Sequence, residues 1–315
     1  MGLLLALLVA ASAWGASFDC ARATLPLERA ICGDAETSTL DERMAALYRR
    51  TQVTPWAEMV RAEQLRWLRE RRLPAAADPI RLRDAYRSRI ATLEPQAALA
   101  GDPSLSGLTE EQIAASCVAL PPDPGAEPGL GCRVRQSGPL GTVGGRRLHY
   151  AIYLHLPTAE PADSEEGRQT VLVFAAGPDG RFALQLADFR DAVFCAEPVL
   201  LARRQGPILQ MPCHESGTGN INAEAVFAWR DGAWRALDIQ SWTADLARRL
   251  PAGLQVWKGV YPDYVGLTAR SPLWRPGDGN CCPSGGAARM TFAWQGDRLA
   301  LRGIRVVRGR AAAEQ

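Results

Sequence analysis

The chain has 315 residues, of which 47% are hydrophobic, and a formal net charge of +2. That is enough chain and apolar content for about two ordinary cores. A charge so near zero does not imply nucleic acid or a membrane surface as a partner. The cationic residues are almost all arginine, with Lys258 the only lysine, a bias that an Ala- and Arg-rich, high-GC coding sequence produces. The first element is an apolar run, Leu3 to Ala13. It is too short for the roughly 20 residues that span a bilayer. Small residues follow at Ala13, Gly15 and Ala16, which predicts a cleavable signal peptide over residues 1–16, cut after Gly15 or Ala16. Its start lacks Lys or Arg. The first cysteine beyond it, Cys20, is preceded by Phe18-Asp19, which does not suit lipid attachment. No later stretch is long and apolar enough for a transmembrane helix. The expected location is the periplasm or the medium.

Residues 17–93 carry helical periodicity. Asp34 to Thr39 offers N-cap candidates, and Leu40, Met44, Leu47 and Tyr48 follow on one expected helix face. Thr54 is a candidate N-cap with Pro55 at the first helical position. Trp56, Val60, Gln64, Trp67, Leu68 and Arg71 line the next helix, which Pro74 is expected to stop. Leu82, Tyr86 and Ile90 mark a third helix over about 78–93. Residues 94–131 are rich in Pro, Gly, Ala and Ser and read as a linker, with one short helix expected over Thr109–Cys117. From 132 to 310 the pattern is strand-like. Strands are expected over His149–Leu156, Thr170–Ala175, Phe182–Leu186, Ala225–Trp229, Trp234–Ile239, Met290–Trp294 and Leu299–Ile304. Gly177–Gly180, Arg230–Ala233 and Gln295–Arg298 separate three pairs of them as hairpin turns. Ala244–Leu250 is a candidate helix ended by Pro251 and Gly253. The fold class is therefore α then β: a small helical domain followed by a mainly antiparallel β domain.

The helical segment carries an ordered set of motifs: Phe18-Asp19-Cys20-Ala21, Glu28-Arg29-Ala30-Ile31-Cys32, Leu40-Asp41, Leu47-Tyr48, Gln64-Leu65-Arg66-Trp67-Leu68, Arg71-Arg72 and Tyr86-Arg87-Ser88-Arg89-Ile90. It resembles the LprI-type lysozyme-inhibitor family over residues 18 to about 93, with Tyr48, Gln64, Trp67 and Tyr86 as the motif core. The resemblance implies a small disulfide-bonded helical domain of the bacterial envelope and, with it, inhibition of lysozyme. Cys20 and Cys32 would close a small loop before the first long helix, worth about 3 kcal/mol in the chain-entropy model. The family's second cysteine pair is absent, with Leu73 and the Pro79-Ile80 region in its place. Apolar packing by Leu73 and Ile80 is expected to offset part of that loss.

Lysozyme works through paired carboxylates in a cleft, and arginine suits such carboxylates through bidentate pairing. Arg66, Arg69, Arg71 and Arg72 are the candidate partner-binding residues. The excess of arginine over acid from 61 to 89 argues against long-range steering towards a basic lysozyme, and Glu–Arg pairs on a solvated helix face explain most of these arginines.

The eight cysteines (Cys20, Cys32, Cys117, Cys132, Cys195, Cys213, Cys281 and Cys282) form an even set behind an export signal, which predicts disulfides. Cys195 with Cys213 and Cys117 with Cys132 would leave the adjacent Cys281 and Cys282 joined to each other. Adjacent cysteines rarely bond, so the alternative links them to Cys195 and Cys213. Cys213, His214, Cys281 and Cys282 could also form a zinc set, which export and the even count disfavour. The Cys213–Asn220 stretch holds His214 and Ser216, but no nucleophile elbow surrounds them. Trp257 to Tyr261 and Leu273-Trp274 offer an aromatic surface. No catalytic residue, metal or cofactor is assigned. The expected function is a binding protein engaging lysozyme or another envelope protein. A structural or stress-related envelope protein is the alternative.

Overall fold

The structure is a computed structural model that describes residues 15–122, 129–157, 167–190, 193–215, 217 and 219–307. Most of the expected signal peptide and residues 123–128 of the expected linker lie outside them. The described residues form two compact units, one of 15–101 with 120–122, the other of 102–119 with those from 129 to 307.

The first unit is helical. Short α1 (Pro26–Cys32) leads to α2 (Ala35–Thr51), α3 (Ala57–Trp67), a π-helical turn (Leu68–Arg72), α4 (Leu73–Ala75) and α5 (Pro79–Ala98). Asp34 caps α2 by accepting from the Thr37 amide at 3.1 Å, and Asp78 caps α5 through the Ile80 and Arg81 amides. Thr54 is not a cap. Its hydroxyl turns back to the Thr51 carbonyl at 2.8 Å, and Trp56 takes the N-cap position of α3 without a side-chain cap bond. Helical spacing is obeyed in part: Trp56, Val60, Gln64 and Trp67 are buried along α3 and Leu82, Tyr86, Ile90 and Leu93 along α5, whereas Leu68 is half-buried and Arg71 exposed. In α2 the buried set is Thr37, Ser38, Asp41, Met44 and Thr51, while Leu40, Leu47 and Tyr48 are only half-buried.

Two prolines fail to stop their helices. Pro74 follows a π turn in which the Leu73 amide bonds back to the Leu68 carbonyl. That wider turn displaces the carbonyl that a proline ring would strike. Pro95 lies inside α5, and the turn after it is held from outside: Trp56 Nε1 donates to the Gln96 carbonyl and Arg50 to that of Ala97. Leu73 and Ile80 do not pack in place of the missing cysteine pair. They are 56% and 65% exposed, because the loop they flank turns their side chains to solvent.

The second unit opens with α6 (Glu110–Ala115), capped reciprocally by Thr109 and Gln112. Residues within 102–119 belong to this unit: Leu108 bridges to Phe182, and a disulfide joins Cys117 to Cys132. Strands β1 (Leu130–Val143), β2 (Arg146–Pro157), β3 (Arg168–Ala176) and β4 (Phe182–Arg190) form an antiparallel meander. The short β5 (Val193–Cys195) pairs with β8 (Cys213–Glu215). A second sheet takes the order β10-β9-β7-β6, from β6 (Val199–Leu201), β7 (Ile208–Met211), β9 (Ala225–Arg230) and β10 (Ala233–Ala236). After α7 (Trp242–Arg249), β11 (Thr268–Pro272), β12 (Ala287–Gln295) and β13 (Arg298–Val307) form a third sheet. All strand pairs are antiparallel. Leu209 and Phe227 of the second sheet join Tyr150, Ile152, Val171 and Val173 of the first in one core. Their neighbours Ile208, Val226 and Ala228 join Trp242, Leu246, Met290 and Leu301 in another. Side chains alternate across a strand, so the second sheet is buried on both faces between two cores.

Candidate functional site

The helical unit is built around two buried polar nodes. Asp41 is 1% exposed. It accepts from the Tyr86 hydroxyl at 2.6 Å and from the Ser17 amide at 2.8 Å, with Arg72 at 3.9 Å. Burial pushes the Tyr86 phenol far up, so it stays a donor. The second node is Arg89, 5% exposed, which donates to Gln64 (2.8 Å), Glu63 (3.1 Å) and the Val60 carbonyl (3.3 Å). Gln64 in turn reaches Met44 Sδ, and Trp67 meets Tyr86 edge-on at 5.2 Å. The motif residues Gln64, Trp67 and Tyr86 thus come together in the core of the unit, with Tyr48 at its half-buried margin.

These nodes decide which arginines are available to a partner. Nine arginines lie between 61 and 89. Arg61, Arg72, Arg81, Arg83, Arg87 and Arg89 each face an acid of the same unit. Arg72 also lies 5.9 Å over the Tyr86 ring and is half-buried, so of the four candidates it is the one turned inward. Arg66, Arg69 and Arg71 are exposed and have no hydrogen bond or ion pair among the described residues. They stand on the end of α3 and the π turn, between Leu65 and Leu73, which are 50% and 56% exposed. Arg66 and Arg69, three residues apart, share a helix face with Leu65 and Leu73 and make an amphipathic cationic patch, while Arg71, two residues beyond Arg69, falls on another side. Such a patch can form fork-like hydrogen bonds to carboxylates and bury apolar surface in the same contact. π turns are uncommon and recur at functional positions.

In the second unit the three histidines lie apart. His149 on β2 is 5% exposed, stacks edge-on against Phe182 and has neither ring nitrogen bonded. Burial lowers its proton affinity. His155 shares a hydrogen bond with Thr170. His214 Nδ1 lies 3.2 Å from the Glu215 carbonyl, and Ser216 falls outside the described residues. Cys213 is bonded to Cys195 and Cys281 to Cys282, so these sulfurs are not a thiolate donor set. The expectation that the adjacent cysteines bridge elsewhere is corrected: the cross-strand register of β5 and β8 puts Cys195 directly opposite Cys213, leaving the vicinal pair only each other. No group of His, Cys, Asp and Glu that could hold a metal occurs among the described residues.

No protein-family model matches the sequence, and comparison with curated proteins and with solved structures gives no match.

Sequence reasoning passed over one buried acid. Glu224 is 6% exposed and accepts from the Tyr264 hydroxyl, from Gln210 at 2.9 Å and from Asn222 at 3.4 Å. Burial raises its proton affinity more than these bonds lower it. The folded chain therefore holds this proton more tightly than the unfolded chain. The stability this gives is complete below the ordinary glutamate range near pH ~4.3 and is lost as pH rises through the elevated folded value. Glu224→Gln is expected to abolish that decline, at the cost of one of the two accepting oxygens, so the β unit's thermal midpoints between pH 4.5 and 7.5 should fall less steeply in the variant. Identical slopes in both proteins would contradict the assignment.

Proposed function

We propose that this chain is an exported bacterial envelope binding protein whose helical unit inhibits lysozyme by steric occlusion, without turnover. The observation that carries the reading is that Arg66, Arg69 and Arg71 have no partner among the described residues, in a unit whose other arginines from 61 to 89 all face acids. Inserted into a cleft lined by catalytic carboxylates, these guanidiniums would exchange water for bidentate partners, while Leu65 and Leu73 cover apolar rim. The motif resemblance over residues 18–93 and the Cys20–Cys32 disulfide support the same reading. The paired arginines cancel within the unit, which weakens the objection that its positive charge repels a basic enzyme.

The test is lysis of cell-wall suspensions by lysozyme in the presence of the oxidised full chain. Saturable, stoichiometric inhibition is expected. Reversing the three unpaired charges (Arg66→Glu, Arg69→Glu and Arg71→Glu together) should weaken it at least ~100-fold, since each charge lost from a desolvated interface costs about 2–5 kcal/mol, with the helical circular dichroism unchanged. Full inhibition by the reversed variant would overturn the role of the patch. No inhibition by the folded parent would overturn lysozyme as the target and leave the structural envelope role.

A further inference from the structure

The second unit contains a cavity of about 340 Å³, at the lower end of the ~300–1,000 Å³ typical of small-molecule sites. It lies between α7 and the segment 250–260 that follows it. Trp242, Leu246 and Val260 make its buried floor, with half-buried Leu250 and Leu254 alongside. Three flexible polar groups stand on its wall: Gln240, Gln255 and Lys258. None has a side-chain hydrogen bond or ion pair among the described residues. Asn222, also on the wall, is already committed to the Val260 carbonyl and to Glu224. No aspartate or glutamate lines the cavity. The single lysine of the chain is therefore half-buried at the edge of an apolar hollow without a counter-charge. An ammonium held in such a place gains strongly from an anion that brings its own apolar body.

We propose that this cavity binds a monomeric amphipathic carboxylate, with its hydrocarbon chain over Trp242, Leu246 and Leu254 and its carboxylate on Lys258. A single ammonium and the absence of any second cation on the wall select a monoanion over a di- or polyanion. The apolar floor selects a hydrocarbon chain over a polar metabolite. This binding is separate from the arginine patch and does not depend on it.

The experiment is calorimetric titration of the full, oxidised chain with hexanoate, octanoate, decanoate and dodecanoate, each below its micelle concentration, and with dodecanol. One site is expected, tightening by about three- to fourfold per added methylene, with dodecanoate favoured over dodecanol by on the order of tenfold. Lys258→Gln should remove that preference and weaken dodecanoate about tenfold. Ala247→Trp, at an exposed lining position on α7, should fill the hollow and abolish binding without changing the thermal midpoint. No saturable binding by the folded parent, equal binding of the alcohol, or unchanged binding by either folded variant would each overturn the proposal.

Discussion

Asp41→Ala is expected to cost the helical unit about 3–5 kcal/mol, the penalty for removing one partner from a buried charged cluster. The carboxylate touches three parts of the chain: Ser17 before the first helix, Tyr86 on α5 and Arg72 in the π turn. Its loss leaves the fully buried Tyr86 hydroxyl without an acceptor and Arg72 against a void. Tyr86→Phe removes only the donor and should cost about 1–2 kcal/mol. Because the chain has two units, a single melting temperature would mix them. The suitable readout is amide hydrogen exchange resolved by element. Protection should fall in α2 and α5 and stay constant in the β sheets. Undiminished protection in α5 would show that the node is dispensable.

The second large effect concerns the disulfides of the β unit. Cys195→Ala with Cys213→Ala is expected to cost about 3–5 kcal/mol. The bridge closes a separation of 18 residues, worth roughly 3 kcal/mol of loop entropy. Both cysteines are also buried, among Leu209, Met211 and Val171, so deleting the sulfurs adds a cavity cost. Each kcal/mol is about 2–4 °C in a unit of this size, so the β unit's own transition should drop by roughly 6–20 °C, read on a β-unit signal and not on the whole-chain melt. The vicinal pair provides the control. Cys281 and Cys282 enclose no intervening residue and are both exposed, so replacing them with serine should change the midpoint by no more than ~1–2 °C. Equal losses from the two double variants would refute the loop-entropy account.

Much of this architecture is legible in the sequence where local chemistry decides it. Asp34, among the offered N-cap candidates, does cap its helix, the third helix starts where expected at residue 78, and the apolar spacing of α5 is met residue by residue. The hairpins come from turn chemistry: the Asp-Gly at 179–180 and 231–232 sits where the chain must reverse. What escapes the sequence is decided by contacts between distant residues. Pro74 reads as a stop because the π turn that accommodates it has no sequence signature. The packed face of α2 is polar, so apolar periodicity points to Leu40 and Leu47 and misses Asp41. The candidate arginines are named by composition, but only the position of Asp41 separates Arg72, which it engages, from the other three. The α7 cavity arises where a helix meets a loop, and nothing local encodes the space between them.

The doubly buried sheet has a consequence for how its strands find their alignment. In a sheet with one wet face, a slip by one residue is penalised at once, because polar side chains enter the core. In β9, Val226, Phe227 and Ala228 are all buried, alternately towards one core and the other. A slip there exchanges one set of apolar groups for another and meets no such penalty. Alignment must then come from side-chain volume and from the connection to β10. That connection is two residues, Asp231 and Gly232, both with positive φ (50° and 77°), the mirror-image turn that matches strand twist and fixes the pairing of Arg230 with Ala233. Two exposed residues at the tip of a hairpin therefore act as the index mark from which the interior of both cores is counted.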